Sequence, residues 1–243
     1  MEFSDDKVHR SYNAHQKEGS MDNNVLINEE KDGTAILTLN RPKAMNSLNF
    51  DLLYAIKDQI ESLQYRPEIR TVIITGTGEK AFCAGADLKE RASLSQDEVK
   101  KFILTIRDLL TSIQNLNKPV IAAINGTALG GGTEIALAAD IRIAASTASM
   151  GLTETRLAII PGGGGTQRLP RIIGVAKAKE LILTGRRVDA AEALDIGLVN
   201  HITPPGDLLA SSQDMADRIG ANGPIAVEMA KYAIDKGIET DLA

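Results

Sequence analysis

The stretch KPVIAAINGTALGGGTEIALAADIRIA, residues 118–144, decides the fold of this chain. Val120 to Ile124 is a short apolar run and reads as a strand buried on both faces. Gly131 to Ala139 is Ala-rich and reads as a short helix. Ile141 to Ala144 is a second apolar run. Strand, helix and strand in this order form a crossover unit, which pairs the two strands in parallel. The turn between the first strand and the helix, Asn125 to Gly132, is built from small residues. It runs straight into the helix, so its N–H groups gain the helix's partial positive charge. Small side chains also let a ligand atom come close to the backbone.

The same pattern extends outward. On the N-terminal side, Val25 to Glu29 and Thr34 to Leu39 are β-prone runs joined by Lys31-Asp32-Gly33, a hairpin signal. Leu52, Leu53, Ile56, Ile60 and Leu63 fall on one helical face. Thr71 to Thr75 reads as another buried strand. It leads to a second small-residue turn, Ala81 to Lys89. Ser95 and Glu98 form a capping box that opens a helix through Val99, Phe102, Ile103, Ile106 and Leu110. On the C-terminal side helices dominate: Thr166 to Ile173, Val175 to Thr184 and Ala190 to Leu194. A short strand is expected at Leu198 to Ile202, a linker at Pro204-Pro205-Gly206, and helices at Leu208 to Ile219 and Pro224 to Lys236. The class is α/β with a helical C-terminal region.

Composition narrows the chemistry. In 243 residues there are three His, one Cys and no Trp, against 21 Gly. One Cys excludes an internal disulfide framework, and a structural zinc site lacks its ligands. A net charge of −5 argues against nucleic acid as a partner. The longest uncharged run, Pro119 to Thr133, is too short and too polar to span a membrane. Residues 1–20 are polar and aperiodic and read as a flexible tail or leader. With no apolar leader and a lone Cys, a cytoplasmic location is expected.

Two glycine motifs lead nowhere. Gly76-Thr77-Gly78-Glu79-Lys80-Ala81 matches a dinucleotide fingerprint, yet no helical face follows it. Gly162 to Gly165 lacks the following Gly-Lys-Ser/Thr of a phosphate loop and reads as close helix packing or a bend beside a ligand. The two small-residue turns are stronger signals. Both follow buried strands, so together they could aim two N–H donors at one oxygen, as an oxyanion hole requires. Two acids complete the set. Glu134 sits in the Ala-rich helix, and Glu154 precedes the apolar Leu157 to Ile160. Such surroundings favour burial and a displaced pKa.

Four segments together make the chain recognisable: NRPKAMNSL at 40–48, AFCAGADLKE at 81–90, the 118–144 stretch, and MGLTETRLAIIPGGGGTQRLPR at 150–171. The chain resembles the crotonase, or enoyl-CoA hydratase, superfamily from about Val25 to Leu242. Its wording is closest to the branch containing methylglutaconyl-CoA hydratase, also described as AU-rich-RNA-binding. The resemblance implies a crotonase-like spiral of ββα units over 21–203. It also implies a helical trimerisation region over 204–243, shorter than is usual in the family. It implies trimers or dimers of trimers, an acyl-CoA thioester substrate, no metal, and no cofactor beyond the substrate's own CoA.

By the same resemblance, Ala86 and Gly131 supply the N–H pair and Glu134 and Glu154 are the catalytic glutamates. Gly162 helps hold the reacting water. Ala84, Ala86, Asp87, Leu88 and Lys89 line the CoA site. The implied activity is addition of water to the 2,3 double bond of a short-chain enoyl-CoA, giving a 3-hydroxyacyl-CoA. The alternative within the family is 3-methylglutaconyl-CoA hydration in leucine catabolism. An alternative of another class is RNA binding, which the resembled branch suggests and for which the segment Arg66 to Lys80, with three basic and two acidic residues, offers a thin motive.

Overall fold

The computed structural model describes residues 25–240, so the expected tail at 1–20 lies outside the described residues. β1 (Leu26–Lys31) and β2 (Thr34–Leu39) form an antiparallel hairpin. Asp32 and Gly33 at its tip have φ of 50° and 80°, the positive-φ turn that Asp-Gly favours. α1 (Phe50–Gln64) follows and buries the five apolar residues of the predicted face. Asn49 caps it by accepting from the Leu52 N–H.

Three circuits of chain then repeat one plan. β3 (Thr71–Gly76) bends into β4 (Ala81–Cys83), and α2 (Leu88–Ser93) and α3 (Gln96–Gln114) follow. β5 (Val120–Ile124) bends into β6 (Thr127–Leu129) and α4 (Gly131–Ala138). β7 (Ile141–Ala145) bends into β8 (Ser149–Gly151), a 3₁₀ turn at Glu154–Leu157, α5 (Gly165–Ile173) and α6 (Val175–Thr184). The chain continues through β9 (Val188–Asp189), α7 (Ala190–Asp195), β10 (His201–Thr203), α8 (Leu208–Gly220) and α9 (Pro224–Gly237). Each circuit visits a long sheet ordered β1-β2-β3-β5-β7-β10, then a short one ordered β4-β6-β8-β9. Pairing is parallel except at β1–β2 and β8–β9. This is the ββα spiral that the resemblance implies.

Close approaches make the bends between sheets. A Cβ on Gly76 would lie 2.5 Å from Phe82 O. Asn46, held at φ 54°, pins this corner: its amide donates to Thr77 O and Ala81 O. One buried apolar cluster joins the long sheet to α1 and α3, which pack on each other, while α8 lies across β3, β5 and β7. β3 and β5 are buried at every position, as expected of central strands packed on both faces.

The structure departs from the sequence reading in three places. The last strand is His201–Thr203 rather than 198–202. Leu198 and Val199 are buried, but both their N–H groups donate to Ala193 O and close the end of α7. The short sheet was not legible, because strands of two or three residues carry no period. α2 was also missed; it is six residues long and starts on the Asp87 cap. The C-terminal helices occur where predicted. α8 buries Leu208, Ser212 and Ala216, whereas α9 buries no residue and is tied down by a 2.8 Å ion pair between Lys231 and Asp140. Among the described residues no helix is long and apolar enough to cross a membrane.

Candidate active site

The two small-residue turns meet at the carboxyl ends of the strands. Gly85 has φ of 92°, and a Cβ there would lie 2.8 Å from Leu129 O and 3.6 Å from Gly131 N. Only glycine lets the two turns touch backbone to backbone at this point. Ala86 forms an isolated bridge with Leu48. In it Leu48 N–H donates to Gly85 O and Asp87 N–H donates to Leu48 O, each at 2.8 Å. The bridge uses the groups on either side of Ala86 and leaves its own N–H without an acceptor among the described residues. Gly131 is the first residue of α4, so its N–H also has no carbonyl one turn back. Two unspent donors therefore sit on adjoining turns.

These turns open on a cavity of about 790 Å³. Ala84, Ala86, Leu88, Gly131, Glu134, Thr153, Glu154, Gly162 and Gly163 are among the residues that line it. α3 contributes Phe102, Ile103 and Ile106 as an apolar wall. Of the residues expected to line the site, Asp87 and Lys89 are not brought into this wall. Asp87 turns to Arg41, 2.9 Å away, and caps α2 through the Lys89 and Glu90 N–H groups. Burial works against its carboxylate, yet these hydrogen bonds outweigh burial and hold its pKa below the ordinary value. Arg41 also donates to Ser47 O at 2.5 Å. Asp87 and Arg41 thus brace the loop that carries Ala86. Lys89 is exposed on α2.

The two glutamates face the same cavity in different surroundings. Both are buried, at 2% and 9% exposure for Glu134 and Glu154. Glu134 Oε1 accepts from Gly165 N–H at 2.8 Å. Burial raises its pKa, while the Gly165 and Gly163 N–H groups and the Arg168 charge pull it back. Glu154 has less help: its own backbone N–H lowers its pKa, but no cation among the described residues does. Its Oε2 has no hydrogen-bond partner among the described residues. Burial, then repulsion from Glu134, push its pKa up to about 7. The two carboxyls thus stand in unlike surroundings, with Glu154 held the more strongly toward its protonated form, the kind of inequality that paired acid–base carboxyls need.

Sequence reasoning did not single out Gly163, Gly165 or Arg168. A Cβ on Gly163 would lie 2.6 Å from Glu134 Oε2, so this glycine makes room for the carboxylate. Arg168 donates to Gly163 O and Gln114 Oε1, each at 2.8 Å. It fixes the glycine run in place while keeping a cation near Glu134. The four-glycine run was the available signal, but nothing local to it points at residue 134. Cys83 is fully buried with its thiol pKa pushed up to about 12 by burial, which leaves it inert. Gly76 ends a strand and opens no helix.

Known proteins share this arrangement of chain. The family model described as enoyl-CoA hydratase/isomerase matches residues 29–243. A Bacillus subtilis protein named as an enoyl-CoA hydratase/isomerase is 55% identical over 223 residues, 92% of this chain and 86% of that protein. Rat mitochondrial methylglutaconyl-CoA hydratase is 49% identical over 220 residues, 89% of this chain and 70% of that protein. The crystal structure of an enoyl-CoA hydratase from Bacillus anthracis superposes with a TM-score of 0.89 at 51% identity, covering 90% of this chain and 85% of that one.

Proposed function

The chain belongs to the enoyl-CoA hydratase/isomerase family, and from that premise we propose that its cavity adds water to short-chain enoyl-CoA thioesters. One observation carries the reading: two N–H groups without acceptors and two unlike buried carboxyls share one cavity. The thioester oxygen sits between the Ala86 and Gly131 N–H groups. As water attacks C3, electron density moves onto this oxygen, and the two donors stabilise the enolate. Each such donor is worth ~10²–10³ in kcat. Glu134, ionised, takes a proton from the attacking water, which Gly162 helps to hold. Glu154, protonated, gives its proton to C2 and completes the 3-hydroxyacyl-CoA. Proton exchange between the two carboxyls then restores the starting state. The chemistry needs no metal and no cofactor beyond the CoA of the substrate.

The purified protein is expected to consume the conjugated-thioester absorbance of a short enoyl-CoA. Glu134→Ala and Glu154→Ala should each abolish this. Activity surviving either change would remove that glutamate from the mechanism. The rat relative motivates a second reading, 3-methylglutaconyl-CoA as the preferred substrate. Competing the two thioesters in one assay ranks them by kcat/KM. RNA binding loses much of its motive, because Arg66 is paired with Glu30 and Glu68, and Arg70 donates to Asn222 O. We also propose assembly as a trimer or a dimer of trimers. The uncovered apolar residues of α9, Ile225, Met229, Tyr232 and Ile234 among them, support it. A cytoplasmic location completes the proposal and suits the single reduced Cys83.

A further inference from the structure

We propose that the Thr133 hydroxyl is a positioning group that staples α4 to β8 and so sets the separation of Glu134 from Glu154. Thr133 is 1% exposed. Its Oγ1 lies 2.7 Å from Ala128 O, 3.0 Å from Gly151 O and 3.1 Å from Gly151 N. A hydroxyl has one proton and two lone pairs. Here it accepts from Gly151 N–H and shares its proton between two strand-end carbonyls, with Ala128 O the nearer. Gly151 O also accepts from Gly130 N–H at 2.9 Å. The ends of β6 and β8, the turn before α4 and the first turn of α4 therefore converge on one buried atom.

Both catalytic carboxyls hang from this junction. Glu134 is the residue after Thr133, and Gly131, with its free N–H, lies two before. Glu154 follows Gly151 by three residues, through the buried Leu152. Gly151 is pressed from the other side by the segment that leads into β9: a Cβ there would lie 3.1 Å from Arg186 O. The charges that bear on Glu154 are few. Glu134 from α4 acts on it directly, and Arg168 from α5 acts on Glu134. Arg91 of α2 and Arg107 of α3 line the cavity, and Arg156 of its own turn packs at Gly185. Loosening the staple would separate the carboxyls and admit water between them. Both changes bring Glu154 back toward an ordinary carboxylic acid.

This inference rests on the hydratase reading, so wild type is assayed first; an inactive wild type refutes that reading and the inference with it. Thr133→Val keeps the shape and removes the hydroxyl. Its kcat for hydration is expected to fall by about 10- to 100-fold, with KM changed by less than about threefold. Its alkaline limb, where Glu154 loses its proton, should move to lower pH. Thr133→Ser should restore kcat to within about threefold of wild type, because it restores the oxygen. Wild-type kcat in Thr133→Val, an unmoved alkaline limb, or Thr133→Ser as impaired as Thr133→Val would each overturn the proposal. If Thr133→Val does not fold, Thr133→Ala removes the same atom without crowding the two carbonyls and is scored by the same criteria.

Discussion

Gly163→Ala tests the placement of Glu134 with a single carbon atom. The added Cβ would lie 2.6 Å from Glu134 Oε2, 3.0 Å from its carboxyl carbon and 2.6 Å from Leu110 Cδ1. Ordinary van der Waals separation would require the carboxylate to retreat by about 0.8 Å. The retreat also strains its 2.8 Å hydrogen bond from Gly165 N–H. Overpacking of this kind costs about 1–3 kcal/mol of stability, which a folded domain of this size tolerates. A displacement approaching 1 Å costs about 100-fold in rate. Gly163→Ala should therefore remain folded, by far-UV circular dichroism, and lose about two orders of magnitude in kcat. The neighbouring position is the contrast. A Cβ on Gly162 would meet only Ile103 Cγ2, at 3.7 Å, and its N–H is retained. Gly162→Ala should lose no more than about threefold. A folded Gly163→Ala with kcat within threefold of wild type would refute the argument, since the base would then not depend on where Glu134 is held.

Further outcomes follow from the same geometry. Glu134→Gln and Glu154→Gln should each lower kcat by ~10²–10⁴ in steady-state assays, with unchanged circular dichroism. The kcat for hydration should fall as pH rises through about 7, where Glu154 loses its proton; a limb near 4.5 would contradict its burial. Stability carries the same signature. The folded-state pKa of Glu154 lies above the ordinary 4.5, so its favourable contribution is complete below that pH and is lost as pH rises through about 7. Thermal melts should accordingly show Glu154→Gln gaining stability over wild type at pH 8 but not at pH 4. Gly130→Ala forces a side chain into φ 51°, ψ −121° and places its Cβ 3.1 Å from Glu154 Oε1. Strain of about 1–3 kcal/mol at the start of α4 should lower kcat through the Gly131 N–H, which saturation kinetics would detect.

Residues that act through near neighbours were legible in the sequence. Asp32-Gly33 turned as its dipeptide dictates. The Ser95–Glu98 box capped α3 on both arms. The five-residue apolar face of α1 was buried as spaced. The free N–H groups at the start of α4 were visible too, because a small-residue turn that leads into a helix leaves them without a partner, whereas the Ala86 N–H is freed by the bridge to the distant Leu48.

Partners distant along the chain decided the rest. Leu198 and Val199 have strand composition but spend their N–H groups on Ala193 O, a choice made by the end of α7. Asp87 sits in a loop that lines the cavity, yet its side chain answers to Arg41, 46 residues earlier. Glu134 and Glu154 are the same residue type, and nothing beside them in sequence says which holds its proton. Residues 163, 165 and 168 solvate Glu134, while Glu154 has only its own backbone N–H, leaves Oε2 unpartnered and faces the other's charge. From sequence alone came the longer elements and the free N–H groups that open α4, because propensity, capping and period act over a few residues. The unlike surroundings of the two carboxyls come from the tertiary structure alone, because desolvation and Coulomb energy depend on what folding brings within a few ångströms.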